Sequence, residues 1–235
     1  MSEDKKPRFR HELKYMISVK EKDALIQRLK PLILRDAHAE NGRYTIRSLY
    51  FDDMWGTAYN EKLLGTAIRK KYRIRIYDFS DAVIKLERKT KQGNYIYKQA
   101  ADLSRAEFYS ILKGDFAFLL SRQENLCKEF YVECVSNLLR PRVIVDYDRE
   151  PFVYRYGDVR ITFDTDVRAA LLSYDIFDAK LPTLNTMQPD TLIMEVKYTE
   201  FLPQQIRNLL PQGAEDLLAF SKYIMCCEKH MEVSV

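Results

Sequence analysis

The stretch RKKYRIRIYD (residues 69–78) alternates charged and apolar side chains. Cations occupy every second position, namely Lys71, Arg73 and Arg75. Aromatic or β-branched residues fill the positions between them, namely Tyr72, Ile74 and Ile76. This period of two is typical of a β-strand whose apolar face packs on a core. Successive cations on the other face would lie about 7 Å apart. Because they would repel each other, the stretch predicts a nearby anion or carboxylate.

Other segments of the chain have the same strand-like composition, and together they indicate eight or so strands. They are RFRHELKYMI, RYTIRSLYFD, AVIKLERKTK, GNYIYKQA, RPRVIVDYDREPFVY, VRITFDTDVRAA and TLIMEVKY. Few helical segments separate these strands, so the sheet should be mostly antiparallel. A short turn at Gln92 and Gly93 should join two of them as a hairpin. The pattern therefore predicts an α+β fold.

Helix boundaries are marked by capping residues. Ser18 with Glu21, and Ser104 with Glu107, have the spacing of a capping box, in which the side chains and backbone bond reciprocally. Gly114 is a candidate for the C-terminal end of the second of these helices. Further helices are expected over ENLCKEFYVECVSNLLR, LPQQIRNLL and AEDLLAFSKYIMCCEKH.

The polar faces of the other strands are also dense in charge. The charged positions are Arg10, Glu12 and Lys14; Lys85, Glu87 and Lys89; Arg160 and Asp164; and Glu195 and Lys197. Eight strands can close into a barrel that holds side chains or one small ligand. If the apolar faces pack outward against helices, the charged faces line the bore and would bind a polyanion, with carboxylates left to hold Mg²⁺ or Mn²⁺. The alternative is an ordinary antiparallel sheet with one face in water.

The overall charge is mildly basic, with 38 Lys and Arg against 34 Asp and Glu, or +4. This excess suits an anionic ligand but does not require nucleic acid, so we expect no nucleic-acid partner. No apolar run reaches membrane-spanning length, and the polar start MSEDKKPRFR is unlike a secretory signal peptide. The four cysteines lack a zinc-type spacing, which favours idle thiols in a reducing cytoplasm. Since no linker-like segment interrupts residues 1–235, we expect a single domain with a core over about residues 8–230.

Eight short motifs, taken in order, carry a resemblance to a known family. They are RHELKY, SLYFD, YRIRIY, LERKT, RPRVIVDYDR, RITFD, MEVKY and FSKY. Over about residues 8–223 the chain resembles the VTC domain, the polyphosphate polymerase domain of the vacuolar transporter chaperone family. That family belongs to the triphosphate tunnel metalloenzymes, within the CYTH-like superfamily. The resemblance therefore implies an eight-stranded antiparallel β-barrel, the triphosphate tunnel, with helices packed outside.

The resemblance also implies an activity, the transfer of the γ-phosphoryl group of ATP to polyphosphate with Mn²⁺ or Mg²⁺. The positions implied to be catalytic are Arg73, Arg75, Lys89, Arg149, Arg160 and Lys222. The positions implied to contact phosphate are Lys14, Lys98, Tyr147 and Ser221, and Glu195 matches the metal-binding glutamate. The charged strand faces add Lys85 and Lys197 for phosphate, and Glu12 and Glu87 for the metal. Glu12 serves equally well to separate Arg10 from Lys14.

One position departs from the wider superfamily, whose first motif is Glu-x-Glu-x-Lys. Arg10 replaces the first glutamate, which favours VTC-like chemistry. Three functions stay open: a polyphosphate polymerase, a hydrolase of tripolyphosphate or nucleoside triphosphates, and a non-catalytic module that binds polyphosphate or another phosphorylated ligand. Glu195 among the arginines favours catalysis over binding alone. We expect no membrane span, and the sequence leaves a membrane-protein partner undetermined.

Overall fold

The computed structural model describes residues 10–39, 41–93, 95–211 and 221–233. Within these ranges the strands are β1 (His11–Ser18), β2 (Ile33–Arg35), β3 (Tyr44–Asp52), β4 (Ile68–Tyr77), β5 (Ser80–Gln92), β6 (Tyr95–Asp102), β7 (Arg140–Tyr154), β8 (Val159–Ala170), β9 (Thr183–Asn185) and β10 (Thr191–Tyr198). The α-helices are α1 (Val19–Leu29), α2 (Thr57–Leu63), α3 (Arg105–Leu112), α4 (Asn125–Ser136), α5 (Gln204–Arg207) and α6 (Lys222–Val233), and a 3₁₀ helix spans Ala117–Ser121.

The strands form one large antiparallel sheet, as the sequence predicts. Its order is β1-β10-β8-β7-β3-β4-β5-β6, while β2 pairs with β7 and β9 pairs with β8. The expected closed barrel of eight strands is not supported, because the described residues form ten strands and the two end strands do not pair in a ladder. One isolated bridge, between Arg10 and Ile96, joins those ends. A single bridge lacks the repeated hydrogen bonds that close a barrel.

The opening stretch becomes strand β4 and the first arm of a tight hairpin. Tyr77 pairs with Ser80, so only Asp78 and Phe79 form the turn. Their φ angles are 48° and 58°, the left-handed values that a two-residue hairpin turn requires. The carboxylate of Asp78 accepts a hydrogen bond from the backbone N–H of Thr45 at 2.8 Å, which stabilises the turn. The hairpin aligns the polar faces of β4 and β5.

The apolar faces of the strands pack against helices, as expected. On β4 and β5, Ile74 and Leu86 are fully buried against Phe108 of α3 and Phe130 of α4. A second cluster packs apolar side chains of β8 and β10 against α1 and α5, and a third packs β7 and β8 against α6. Burying a side chain such as Phe130 contributes about 1.5–3 kcal/mol. The first two clusters leave the polar faces on the other side of the sheet, and the third lies on the same side as those polar faces, because it contains Tyr147, two residues before Arg149 on β7.

The helices follow the capping signals with one exception. Both capping boxes form, at Ser18 with Glu21 and at Ser104 with Glu107. Gly114 has a φ of 82°, as a C-terminal stop requires. The first part of the last predicted helix lies outside the described residues, and α6 covers most of the rest of the predicted segment. Among the described helices, none combines the length and the hydrophobicity needed to cross a lipid bilayer.

Helix α2 is the exception, since the sequence patterns did not predict it. Two carboxylates at the end of β3 accept hydrogen bonds from its first backbone N–H groups. Asp52 bonds to Ala58 and Tyr59 at 2.8 and 3.1 Å, and Asp53 bonds to Thr57 at 2.9 Å. These bonds satisfy the free N–H groups at the helix start.

Candidate functional site

The polar faces of β1, β4, β5, β7 and β10, with the start of α6, surround a cavity of about 170 Å³. Its lining residues are Glu12, Lys14, Tyr50, Lys62, Arg69, Lys71, Arg73, Arg75, Lys89, Lys91, Ile96, Tyr147, Arg149, Glu195, Lys197, Ser221, Lys222 and Tyr223. Eleven of these side chains are lysines or arginines and two are glutamates. Such an excess of positive charge in a concave site fits a polyanionic ligand. The cationic face of residues 69–78 therefore lines this cavity.

Glu195 on β10 is the centre of one group of charges. Its Oε1 lies 2.9 Å from Nζ of Lys222, and its Oε2 lies 2.9 Å from Nζ of Lys197 and 3.3 Å from Nη2 of Arg149. Lys14 on the neighbouring strand β1 is 3.5 Å away. Burial opposes ionisation of this carboxyl, but the surrounding cations outweigh it and hold the pKa of Glu195 well below its usual value. Glu195 is therefore ionised when no ligand is bound.

Asp164 on β8 was not among the expected site residues, although it is on the polar face of its strand. It is fully buried behind the cavity wall. Nε and Nη2 of Arg149 each donate to it at 2.7 Å, and Nζ of Lys222 lies 2.6 Å away. Burial disfavours the charged form, but Arg149 and Lys222 outweigh it and lower the pKa of Asp164. Asp164 thus holds two cavity cations in place. The motif RITFD, which ends at this residue, was the available signal.

Arg75 is a cavity cation whose hydrogen bonds are to hydroxyl groups. Its side chain is buried, at 6% exposure. Nε donates to the hydroxyl of Ser48 at 3.0 Å and Nη2 donates to the hydroxyl of Tyr147 at 3.1 Å. In the part of the chain that the structure describes, no carboxylate lies at ion-pair distance from it. A buried guanidinium held only by hydroxyls requires an anion to offset the cost of its burial.

Arg73, two residues earlier on β4, has a carboxylate partner. Nε and Nη2 lie 2.7 and 2.6 Å from Oε2 of Glu87, and Nη1 donates to the hydroxyl of Tyr50 at 2.8 Å. Glu87 also pairs with Lys98 on β6. Burial opposes its ionisation, but Arg73, Arg75 and Lys98 together lower the pKa of Glu87. Glu87 is not on the cavity wall, so its expected place as a metal ligand does not match its position behind Arg73.

Glu12 on β1 is the second carboxylate of the cavity. Its Oε2 lies 2.7 Å from Nζ of Lys89, and its Oε1 lies 3.4 Å from Nζ of Lys14. Burial raises the pKa of Glu12, but Lys89 and Lys14 outweigh this effect and lower it. Burial likewise works against the charge of Lys14, but Glu12 and Glu195 raise its pKa. Lys14 therefore stands between the two carboxylates as a charged group.

Most of the expected site residues line this cavity, and a few do not. Those on its wall are Arg73, Arg75, Lys89, Arg149, Lys222, Lys14, Tyr147, Lys197, Ser221, Glu195 and Glu12. Those not on its wall are Arg160, Lys85, Lys98 and Glu87. Arg160 instead lies 2.8 Å from Asp36 and donates to the hydroxyl of Tyr44, and Lys85 pairs with Asp102. The prediction that Arg160 faces the other arginines of the bore is therefore not met in this geometry.

Several lining residues were missed. They are Tyr50, Lys62, Arg69, Lys71, Lys91 and Tyr223. Arg69, Lys71 and Lys91 continue the period-two faces of β4 and β5, so the alternation could have identified them. Lys62 is on α2, the helix that the patterns did not predict, so strand periodicity could not have identified it.

The donor set of the cavity fits a metal ion that is shared with phosphates. Among the described residues, no group of three or more acidic, histidine or cysteine side chains could form an all-protein metal site. Glu195 and Glu12 nevertheless present two carboxylates to the same cavity. Mg²⁺ is usually bound through one or two carboxylates together with substrate phosphates and water. These two glutamates therefore suit a divalent ion that binds with a phosphate ligand.

Comparison with known proteins places the chain in a family and in a fold group. The model of the VTC domain family matches residues 9–231. No curated protein matches the chain significantly. Among solved structures, a candidate adenylate cyclase from Bacillus halodurans is similar, with a TM-score of 0.50, 14% identity and 82% of each chain covered. A candidate adenylyl cyclase from Hippeastrum, described with a dominant triphosphatase activity, has a TM-score of 0.45 and 13% identity, covering 86% of this chain and 83% of that one.

Proposed function

Because this chain belongs to the VTC domain family, we propose that it is a metal-dependent phosphotransferase that moves the γ-phosphoryl group of ATP onto polyphosphate. The proposal includes Mn²⁺ or Mg²⁺ as the cofactor, polyphosphate or tripolyphosphate as a ligand, and a cytoplasmic location. Family membership supports chemistry on a chain of phosphates, and the charge of the cavity supports it independently.

The observation that carries the proposal is the state of Arg75. Its buried guanidinium is held by two hydroxyl groups and lacks a carboxylate among the described residues. It lies in a wall with eleven cations and two glutamates. A phosphate group offers two oxygens at the spacing that the planar guanidinium fork binds in a bidentate way. A linear chain of phosphates would neutralise the charges of several other cavity cations at the same time.

The chemistry is mainly positioning and charge stabilisation. Phosphoryl transfer needs the attacking and leaving oxygens in line and the developing charge on the other oxygens stabilised. Arg75 and Arg73 on β4 would bind phosphate oxygens from one side, and Arg149 and Lys222 from another. Because Asp164 fixes the last two side chains, their charges are in position before a ligand arrives, which favours the transition state. Glu195 and Glu12 would hold the divalent ion, which neutralises charge on the phosphates when bound.

The test is incubation of the purified protein with ATP and Mn²⁺ or Mg²⁺, followed by sizing of the phosphate products. We expect chains longer than tripolyphosphate. Release of inorganic phosphate without such chains would identify a hydrolase, and binding without turnover would identify a binding module; both outcomes contradict the proposal. Arg75→Ala should abolish chain formation. Arg155→Ala, which removes an exposed arginine outside the cavity, is the matched control.

A further inference from the structure

Apolar side chains are exposed on both sides of helix α2. Residues 63–68, with the sequence LLGTAI, are all exposed between α2 and β4, and Leu64 is 80% exposed. In the turn before α2, Met54 and Trp55 are also exposed, Trp55 to 75%. Single exposed apolar residues are common on protein surfaces, but several within residues 54–68 indicate an interaction surface.

The two apolar segments belong to one surface, which we call the α2 patch. Its members are Met54, Trp55, Leu63, Leu64 and Ile68. Nδ2 of Asn60 donates to the backbone carbonyl of Trp55 at 3.0 Å. Asn60 is three and four residues before Leu63 and Leu64, a spacing that places side chains on one face of a helix. The exposed face of α2 therefore runs from Trp55 to Leu64.

Hydrogen bonds fix the loop between α2 and β4. The backbone N–H and the hydroxyl of Thr66 donate to the carbonyl oxygen of Glu61 at 3.1 and 2.8 Å. The carbonyl oxygen of Ala67 accepts from the N–H of Gly93, just after β5, at 2.9 Å. Gly65 has a φ of 69°, the left-handed value that often ends a helix. The loop thus presents its apolar side chains in a defined arrangement.

Basic residues flank the apolar loop. Residues 61–71 contain four lysines or arginines and one acid, Glu61. Lys62 and Arg69 come directly before and after LLGTAI, and the next residue, Lys70, is exposed. Peripheral proteins bind anionic lipid surfaces with this combination, because the apolar side chains enter the acyl boundary while the cations attract the headgroups. Tryptophan is itself enriched at that boundary.

We propose that the α2 patch binds the surface of a membrane that contains anionic phospholipids. A bilayer accepts a few apolar side chains without a matching concave surface, whereas a stable protein interface uses about 20–30 residues from each side. Two copies joined through this patch would bring Lys62, Arg69 and Lys70 against the same residues of the other copy, and these charges would repel. The inference goes beyond the proposed function and does not depend on it.

The test uses Trp55, the single tryptophan of the chain, whose fluorescence reports on the patch directly. Purified protein is titrated with vesicles of phosphatidylcholine alone and with vesicles that also contain phosphatidylglycerol. We expect the anionic vesicles to shift the emission to shorter wavelength, and brominated acyl chains in them to quench it, because the indole ring leaves water. Vesicle sedimentation measures the affinity, which should fall as the salt concentration increases.

A double variant tests the contribution of the loop. Leu63→Ser/Leu64→Ser keeps Trp55 and should weaken binding to anionic vesicles at least about tenfold, since two apolar side chains no longer enter the lipid. Because both positions are exposed, the variant should unfold at the same urea concentration as the wild type.

Tyr156→Ser/Phe201→Ser is the matched control, since it also removes two exposed apolar side chains. These residues follow β7 and β10, whereas Asp52, which leads into α2, pairs with Arg140 at the other end of β7. The control variant should bind the anionic vesicles as tightly as the wild type, and an equal loss in both variants would contradict the proposal.

Other outcomes also decide against the α2 patch. Absence of binding to anionic vesicles, or binding without a change in Trp55 emission, would overturn the proposal. Complete displacement of the protein from vesicles by tripolyphosphate at constant ionic strength would mean that lipid headgroups bind in the cavity instead. A shift of Trp55 emission with protein concentration alone, together with a dimer in analytical ultracentrifugation, would identify a second copy as the occupant.

Discussion

Two arginines that look equivalent in the sequence differ at the level of the single residue. Arg73 and Arg75 are on the same face of β4 and both line the cavity. Arg73 neutralises the buried carboxylate of Glu87, whereas Arg75 contacts only hydroxyl groups. The charge of Arg73 is therefore partly committed to the folded protein, and that of Arg75 is available to a ligand.

Substitution by alanine should separate these two roles. Arg73→Ala leaves Glu87, 2% exposed, with Lys98 as its remaining ion-pair partner. Because one partner of a buried pair is lost, the free energy of unfolding should fall by about 2 kcal/mol. Arg75→Ala removes a cation that makes no direct ion pair among the described residues, so it should change the unfolding free energy of the ligand-free protein by less than about 0.5 kcal/mol or raise it. Urea denaturation of both variants measures this. Equal destabilisation would contradict the assignment.

Glu195→Gln removes a carboxylate from the middle of four cations. The ligand-free protein should become less stable, because Lys14, Lys197, Lys222 and Arg149 lose a shared counter-charge. Tripolyphosphate should bind more tightly, since a negative group that repels it is gone, and metal-dependent turnover should be lost. Calorimetry, denaturation and the product assay measure the three effects. Weaker tripolyphosphate binding by a folded variant would show that Glu195 does not oppose the ligand.

At the scale of secondary-structure elements, the carboxylate of Asp52 connects β3, α2 and α6. Asp52, at the end of β3, accepts hydrogen bonds from the first turn of α2 and a hydrogen bond of 2.5 Å from the hydroxyl of Tyr223 on α6. The neighbouring residue Lys222 extends into the cavity and contacts Asp164 and Glu195. The position of α6, and therefore of Lys222, depends on this connection.

Tyr223→Phe tests the connection without emptying the core. The ring remains, but buried Asp52 loses its side-chain donor, so the unfolding free energy should fall by about 1–2 kcal/mol. Turnover should fall as well, because Lys222 is held less firmly. Tyr131→Phe is a matched control, since the hydroxyl of Tyr131 makes no hydrogen bond among the described residues. Denaturation and the product assay should distinguish the two variants. If the two variants have the same stability and turnover, the hydroxyl of Tyr223 does not help to position Lys222.

At the scale of the whole molecule, the cavity gives ligand-free stability a dependence on pH. The pKa of Lys71 is lowered to about 7 by burial and by the cations that face it. Those cations are Lys14, Lys62, Lys89 and Arg69, while Ser221 and the ring of Tyr223 are its neutral contacts. Above pH 7 the folded protein has lost a proton that the unfolded chain still binds. Stability should therefore rise with pH from about 7 toward the ordinary lysine pKa of 10.5.

Urea denaturation of ligand-free protein at several pH values measures this rise. Lys71→Met should be more stable than the wild type below pH 7, where it removes a charged and repelled group, and the difference should shrink as the pH increases. Lys113→Met, at an exposed position outside the cavity, serves as the control. A constant difference between wild type and Lys71→Met across this range would mean that Lys71 does not titrate there.

Much of the fold is determined by the sequence alone, because it depends on local patterns. The alternation in residues 69–78 predicted which side of β4 is apolar, and Ile74 and Ile76 are buried as expected. The capping boxes marked the starts of α1 and α3. The positive excess on the strand faces indicated an anionic ligand, and ordered motifs indicated the family. Apart from the order of the motifs, each of these signals lies within a few neighbouring residues.

Only the tertiary structure decided which charges are available to a ligand. The register between β4 and β5 places Arg73 opposite Glu87 but Lys71 opposite Lys89. Arg160, expected in the cavity, is held by Asp36 instead. The same holds for the sheet as a whole, whose end strands meet at one bridge rather than in a closed barrel. Strand periodicity is a property of adjacent residues, whereas ion pairing and closure depend on which distant strands meet and in what register. The β4–β5 register has a local cause in the turn at Asp78 and Phe79, whereas the other contacts join residues far apart in the chain.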